Sequence, residues 1–215
     1  MRKQVITFIL CIIATTLYAQ VQTAFFVGPQ ISSVKYTIQN KKQDADFKYG
    51  FQAGATVKVP FENKLNFAPS VFYSLKGYKV KLSQAAFPPD SLARDNDTRI
   101  HTLELAALLQ YDFSGKPGHF FVKFGPSLDI QVMGREKFNR VNQTTIEQDM
   151  VFSFTDYGHF AANFILQFGY ESKNGLLIFA HYEHGIGSMN NADFGPGIWH
   201  RVYGISIGKY LKRKK

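Results

Sequence analysis

The stretch FFVKFGPSLDIQV, residues 120–132, decides the fold because apolar and polar side chains alternate along it. Every second residue from Phe120 to Val132 is apolar, and the residues between them are mostly small or polar. A repeat of two places successive side chains on opposite faces of a β-strand. The segment is therefore predicted to be a strand with one apolar face and one polar face.

The same period of two recurs along nearly the whole chain, and no amphipathic helical period lasts more than a turn or two. The alternation predicts eight strands, at residues 24–38, 46–60, 64–80, 99–113, 119–137, 157–172, 175–188 and 198–211. The connections between them alternate in length. Three are short, around 61–63, 114–118 and 172–174, and four are long, at 39–45, 81–98, 138–156 and 189–197. Short turns at one end and long loops at the other predict an up-and-down meander closed into a barrel.

The period alone does not say which face points inward. A soluble lipocalin-like barrel buries its apolar face, whereas an outer-membrane barrel turns that face toward lipid. Strand length favours the membrane barrel, because most runs exceed the roughly 9–11 residues that a spanning strand needs. Glycine also favours it, since small residues relieve crowding inside a narrow barrel, and the polar face carries Gly50, Gly54, Gly125, Gly169, Gly185, Gly204 and Gly208.

Aromatic residues gather in two bands, as membrane interfaces select. Near the long loops the sequence places Phe47, Tyr49, Tyr78, Phe138 and Trp199. Near the short turns it places Phe61, Phe67, Tyr111, Phe113, Phe120 and Tyr170. The prediction is an all-β protein, an eight-stranded antiparallel up-and-down transmembrane β-barrel with these girdles at the two interfaces.

The polar face is then predicted to fill the lumen with charges of both signs. Its members are Lys48, Lys58, Lys76, Glu104, Asp112, Lys123, Asp129, Arg135, Glu171, His181 and Glu183. Buried charges are tolerated when they are paired and hydrogen-bonded. An eight-stranded barrel holds side chains and little else, so we expect a plugged interior and no open pore.

The N-terminal segment is predicted to be a secretory signal peptide. Residues 1–19 carry a basic start, an apolar run and small or polar residues before Ala19, and 20–215 form the predicted barrel domain. The alternative is a retained anchor, although the apolar run is shorter than the about 20 residues of a spanning helix. The one cysteine, Cys11, lies in this segment, so thiol chemistry and disulfides are excluded from the mature chain. The formal net charge of +9 includes a basic tail, but an exported protein is not expected to meet nucleic acid.

The segments also resemble a known family. YGFQAGATVKVPFENKLNFAPSVFYSLKGYKVK (49–81), TLELAALLQYDF (102–113), FFVKFGPSLDIQV, DYGHFAANFILQFGYES (156–172), LLIFAHYEHGIGSMNN (176–191) and HRVYGISIGKYL (200–211) are similar to strands two to eight of the outer-membrane barrel domain common in Bacteroidota. Those Gram-negative proteins are described as porin-like or PorT-like. The resemblance implies the fold, an outer-membrane location and, through the PorT-like label, a role in secretion. It departs at the end, where a basic tail follows Leu211.

One stretch suggests chemistry. HYEHGIGS holds His181, Glu183, His184 and Ser188, and is similar to a His-Tyr-Ser stretch of lipid A deacylases, but Glu183 occupies the serine position. A serine mechanism needs the hydroxyl within reach of the imidazole. A metal site is not expected, since no third ligand joins His181 and Glu183.

The predicted function is therefore non-enzymatic, with no cofactor and no metal. We expect the long loops to serve envelope integrity, binding of a protein partner, or secretion. Outer-membrane lipid and lipopolysaccharide are the other expected partners. The alternatives are a lipid-modifying enzyme that uses His181, and a narrow channel.

Overall fold

The computed structural model describes residues 21–141 and 144–211 as an all-β structure. The predicted signal peptide, residues 1–19, lies outside the described residues. Within the described ranges no helix is long and apolar enough to cross a bilayer. The strands are β1 (Gln22–Ile38), β2 (Lys41–Lys42), β3 (Asp44–Glu62), β4 (Leu65–Phe67), β5 (Ser70–Lys81), β6 (Asp95–Ala106), β7 (Leu109–Asp112), β8 (His119–Asn139), β9 (Thr145–Asp149), β10 (Phe160–Glu171), β11 (Leu176–Gly185) and β12 (Gly197–Tyr210).

Eight of these strands pair antiparallel in a closed ring, in the order β1, β3, β5, β6, β8, β10, β11, β12 and back to β1. The short strand β4 precedes β5, and the short strand β7 follows β6, each in the same register as its longer neighbour. The predicted strands at 64–80 and 99–113 are therefore each present as two pieces separated by a short irregular stretch. The predicted eight-stranded antiparallel fold is confirmed. Along the part of the ring where all eight strands pair, each strand is hydrogen-bonded on both sides, as a strand protein in lipid requires.

The connections differ in part from the prediction. The turns after Glu62, Asp112 and Glu171 are short, as expected. The predicted long loop at 39–45 is wrong, because Gln39 and Asn40 form a two-residue turn with positive φ that joins β1 to β2. The loop after β8 carries β9, which pairs back onto the end of β8.

A bulge in β8 reverses the predicted alternation near its end. His101 on β6 pairs with Met133 and Thr102 pairs with Gln131, so Val132 is an extra residue. Beyond it, the prediction that Arg135 faces the lumen is wrong: its side chain is 67% exposed and pairs with Glu147 at 3.1 Å. The same shift turns Phe138 inward, where it is buried.

Tyr78 is a second correction to the outer aromatic girdle. It shares its side of β5 with Lys76, two residues earlier, and both side chains are fully enclosed. Elsewhere on the long strands the alternation holds. Apolar side chains such as Phe124, Leu128 and Phe164 are exposed on the outer surface, and their neighbours are buried inside.

The interior is less uniformly polar than predicted, because two apolar clusters lie within the ring. The lower cluster, toward the short turns, contains Phe26, Phe72 and Phe179, whose rings meet across the interior with centroids 5.7 and 5.5 Å apart. The upper cluster, toward the long loops, contains Tyr36, Tyr78 and Ile198. Charged side chains lie between the two clusters and below the lower one.

Glycine lets the lower cluster pack this closely. A Cβ on Gly169 would lie 2.5 Å from the carbonyl oxygen of Ile178 and 2.6 Å from the Cβ of Phe179. Such distances are far inside van der Waals contact, so any other residue would push the strands apart.

Candidate functional site

The centre of the interior is an ionic cluster built around Lys76. The ammonium nitrogen of Lys76 lies 2.8 Å from Glu104 Oε1, 2.8 Å from Asp129 Oδ2 and 2.5 Å from Glu183 Oε1. All four side chains are nearly or fully enclosed, and they come from the four strands β5, β6, β8 and β11. Three carboxylates around one ammonium tie together opposite walls of the ring.

Neutral polar side chains surround this cluster. Gln30 donates to Ser74 Oγ at 2.8 Å, and Gln52 donates to Ser206 Oγ at 2.9 Å. His181 lies beside them, with Nδ1 3.2 Å from Gln52 Nε2. Each comes from the inward side of a strand, so the wall of the ring fixes its position.

A second ionic group, the lower ionic group, closes the end with the short turns. Lys58 Nζ lies 2.8 Å from Asp112 Oδ2 and 3.0 Å from Glu171 Oε2. His119 approaches the same two carboxylates, at 3.3 and 3.6 Å. Asp112, His119 and Glu171 have ligand atoms within 4.8 Å of one another, as do Glu104, Asp129 and Glu183. In both groups a lysine ammonium already occupies the centre of the carboxylates.

The two remaining predicted lumen lysines have different surroundings. Lys48 pairs with Asp97 near the outer end. Lys123 is buried without a carboxylate within 4 Å among the described residues, and its ammonium lies 5.4 Å from the Phe121 ring centroid.

The end with the long loops is closed by a loop residue, Tyr157. Its hydroxyl donates to Glu136 Oε2 at 2.7 Å, and Gln148 donates to Glu136 Oε1 at 2.9 Å. Burial raises the pKa of the Tyr157 phenol well above its usual range, so the phenol stays protonated and remains a donor. The loop after β8 thus folds back into the ring.

Three loops, at 82–94, 140–159 and 186–196, interlock above this plug, and we call them the loop cap (142–143 are not described). Arg140 donates to Asp90 Oδ2 through Nη2 at 2.5 Å, which joins the first two loops. A backbone hydrogen bond of 2.7 Å from Gly158 to Met189 joins the second and third. The Leu92 backbone N–H, 2.8 Å from Asp90 Oδ1, and then Arg140 hold the pKa of the Asp90 carboxyl below its usual value.

The loop cap exposes one phenylalanine from each of its loops. Phe87 is 51% exposed, Phe154 is 90% exposed and Phe194 is fully exposed. Their loops touch: the Asn191 side chain donates to the Ser153 carbonyl at 3.2 Å. Isolated exposed apolar residues are common, but three exposed phenylalanines on loops that contact one another are candidates for contact with another molecule.

Apart from Tyr78 and Phe138, the predicted interface aromatics discussed below lie on the outer surface of the ring. At the end with the short turns, the rings of Phe120 and Tyr170 meet at 5.2 Å and those of Tyr111 and Phe113 at 5.5 Å. At the other end, Tyr49 is 88% exposed, and Trp199 is half-buried beneath Lys35.

The residues of the enzyme alternative are not brought together. His181 points into the ring, where it contacts Gln52. Ser188 lies in the loop cap, and its hydroxyl accepts from the backbone N–H groups of Asn190 and Ile198 at 3.2 and 3.1 Å. Glu183 bonds to Lys76. No hydrogen bond among the described residues joins the serine to the histidine.

Several interior residues were not among those predicted from the sequence. Gln30, His119 and Glu136 lie on the inward side of strands. The period of two could have found Gln30 and His119 directly, and Glu136 once the bulge at Val132 had been placed. Tyr157 was predicted to begin the strand at 157–172, but β10 begins at Phe160, and Tyr157 enters the interior from the loop before it.

An inward ionic core and an apolar outer surface on a closed strand ring define a membrane-spanning outer-membrane β-barrel. The chain belongs to the family described as "Outer membrane protein beta-barrel domain", which matches residues 18–191. Its location is therefore the outer membrane. No curated protein matches the chain.

Solved structures with a similar course of chain have low sequence identity. The attachment invasion locus protein Ail of Yersinia pestis is 12% identical, with 89% of this chain and 99% of Ail covered and a TM-score of 0.47. Neisserial surface protein A is 14% identical, with 87% and 99% covered and a TM-score of 0.41. AlkL, an outer membrane protein studied in lipid bilayers, is 13% identical, with 90% and 92% covered and a TM-score of 0.31.

Proposed function

We propose that this protein is a closed, non-enzymatic outer-membrane barrel that acts through its loop cap on a protein partner, in envelope integrity or secretion. The secretion role is the one that the PorT-like resemblance implies, and with it a Bacteroidota source. We further propose that residues 1–19 are removed on export, and that the loop cap faces outside while the short turns face the periplasm.

The filled interior is the observation that carries this proposal. An open channel needs a continuous wet path, but here the lower ionic group, the lower apolar cluster, the central ionic cluster and the Tyr157 plug follow one another. The central lysine is fully enclosed by three carboxylates. An ion could pass only if several of these groups moved at once.

The exposed phenylalanines of the loop cap support the choice of a protein partner. When another protein covers a solvent-exposed aromatic ring, apolar surface is removed from water, and this contributes favourably to the free energy of binding. Phe154 and Phe194 sit at loop tips that are themselves held by neighbouring loops, so little ordering entropy would be lost on binding.

Orientation is tested first. The only cysteine of the chain is Cys11, so Thr155→Cys in the loop cap and Lys116→Cys in a short turn each give one labelling site after export. We expect a membrane-impermeant maleimide to label whole cells at position 155 only. Labelling at 116 only would reverse the orientation.

The partner is tested by photo-crosslinking in whole cells, with benzoylphenylalanine in place of Phe194 and, as the control, in place of Lys116. We expect a discrete adduct from position 194 that is lost when Phe87→Ser and Phe154→Ser are added. Absence of an adduct, or the same adduct from position 116, would contradict the proposal.

Conductance in planar bilayers tests the channel alternative. We expect no unitary current from the folded protein, and none from Tyr157→Ala, because the central cluster still blocks the path. Mass spectrometry of lipid A from cells carrying His181→Ala tests the enzyme alternative, and we expect the lipid to be unchanged.

A further inference from the structure

The outer wall of the ring splits open near the loop cap, between β1 and β3. Their pairing runs from Gln22↔Lys58 up to Ser32↔Lys48 and then stops. Above that point β1 pairs with β2, at Thr37↔Lys42, while β3 stays paired with β5. The separation leaves a groove of about 700 Å³ on the outer wall.

The walls of this groove are rich in cations. Lys35, Lys42, Lys81 and Arg201 line it, against two acids, Asp44 and Asp46. None of the four cations has a carboxylate within 4 Å among the described residues. Arg201 donates from Nη1 to the carbonyl oxygens of Gly185 and His200, at 3.3 and 2.6 Å. Its other N–H groups have no acceptor in the described parts of the chain.

Lys35 and Arg201 are neighbours on the outward face. Ser33 pairs with Arg201 and Lys35 pairs with Trp199, so the two cations lie diagonally across β1 and β12. Two cations on neighbouring strands raise the local positive potential, which an anion placed between them would neutralise.

The depth of this pair matches the headgroup layer. Tyr182 and Tyr203, with ring centroids 4.9 Å apart, form an aromatic pair of the kind that marks a membrane interface. Arg201 is two residues beyond Tyr203 on the same face, toward the loop cap. That is about 7 Å along the strand, or about 5 Å along the membrane normal at the usual tilt of about 35–45°, which puts the cations on the headgroup side of the aromatic pair.

We propose that this groove binds the phosphorylated headgroup of an outer-leaflet glycolipid, with Lys35 and Arg201 clamping one phosphate. The acyl chains would lie against the Tyr182–Tyr203 pair and the apolar wall beneath it. The site rests on the proposed orientation, in which the loop cap faces outside, but not on any partner of the loop cap. Failure here therefore leaves the crosslinking result untouched.

Trp199 provides the signal for a test. It is the only tryptophan of the chain, and the Lys35 ammonium lies 5.1 Å from its ring centroid. Protein folded in dodecyl maltoside is titrated with diphosphoryl lipid A, with the same lipid lacking phosphate, and with inorganic phosphate. Of these three ligands, we expect only diphosphoryl lipid A to give a saturating change of Trp199 emission.

Variants then locate the site. Arg201→Gln should weaken binding about fivefold, the factor that corresponds to about 1 kcal/mol for one basic residue at a membrane surface. Lys209→Gln is the matched control, because it lies on the same outward face of β12 at the other end of the strand. For Lys35→Gln, which also alters the tryptophan signal, native mass spectrometry counts the bound lipid, and a similar loss is expected.

Three outcomes would overturn the proposal. The first is a flat emission titration by protein whose fold is verified by heat-modifiable migration. The second is an equal weakening by Lys209→Gln, which would mean diffuse attraction without a site. The third is an equal response to inorganic phosphate, which would mean an anion site that does not select a lipid.

Discussion

Replacing Lys76 by methionine tests the central ionic cluster most directly. Methionine keeps most of the volume and removes the charge, so three enclosed carboxylates lose the one cation that lies within 4 Å of them in the described part of the chain. Each contact at about 2.8 Å has a gross attraction of about 6 kcal/mol at an effective dielectric constant of about 20. The variant also avoids the cost of desolvating the ammonium, and this saving offsets part of the lost attraction. Removing one partner of a buried ion pair typically lowers the free energy of unfolding by about 3–5 kcal/mol. We expect a loss of that size in the free energy of unfolding.

Glu104→Gln is the matched control, because the same arithmetic gives a different answer. It removes one attraction of about 6 kcal/mol, but it also relieves two carboxylate repulsions. Ligand oxygens of the three acids lie within 4.8 Å of one another, so each repulsion is at least about 3.5 kcal/mol at the same dielectric constant. The two effects nearly cancel, and we expect a change within about 1 kcal/mol.

The assay is urea titration of the protein folded into phosphatidylcholine vesicles, followed by the shift of the folded band in unheated gels. Unfolding of Lys76→Met at the same urea concentration as Glu104→Gln would contradict this prediction. So would two variants that both match the unaltered protein, since the cluster would then contribute nothing to the stability of the ring.

Three further predictions concern packing, the plug and pH. Gly169→Ala should lower the free energy of unfolding by about 1–3 kcal/mol through overpacking, whereas Ala180→Val, on the outward face of β11, should leave it within about 0.5 kcal/mol; urea titration distinguishes the two. Tyr157→Phe should cost roughly 1.5–3 kcal/mol, because Glu136 loses a donor, and should speed chymotrypsin cleavage at Phe154, while Tyr170→Phe should do neither. Because the pKa of Asp90 is lowered in the folded protein, its contribution is present above the unfolded pKa of about 3.9 and is lost as pH falls through the folded value. Hydrogen exchange at Leu92 should therefore accelerate, relative to the intrinsic rate, in acid below about pH 4, and Asp90→Asn should show the faster exchange already at pH 7; a pH-independent protection at Leu92 would contradict this.

The strands could be predicted from the sequence because alternation is a local property. Lipid outside and packed side chains inside impose the same period of two on every strand of the wall. The position of Phe124 in this alternation predicts that it faces outward, and that of Lys123 predicts that it faces the interior. The alternation of inward and outward side chains continues along a strand until a bulge inserts an extra residue and reverses it. Val132 and Met133 are consecutive apolar residues, which was the one visible sign of the bulge that reversed Arg135 and Phe138.

The partners inside the ring could not be predicted, because they depend on the stagger between strands. Nothing in the spacing says that Lys76 meets Glu183, 107 residues away. Met189 could not be predicted for a different reason, because it enters the interior from a loop, where no period applies. Tyr157 does the same, although the sequence predicted it to begin a strand. The apolar interior residues were within reach, since Phe121, Leu108 and Ile165 all stand on the polar side of their strands.

The two apolar clusters leave the charges around Lys76 in a sealed chamber. A hydronium ion arriving from the periplasm would have to pass Phe26, Phe72 and Phe179, and one arriving from outside would have to pass Tyr36 and Tyr78. Water and small ions from either side would therefore reach the charges around Lys76 only when one of these packed groups moves.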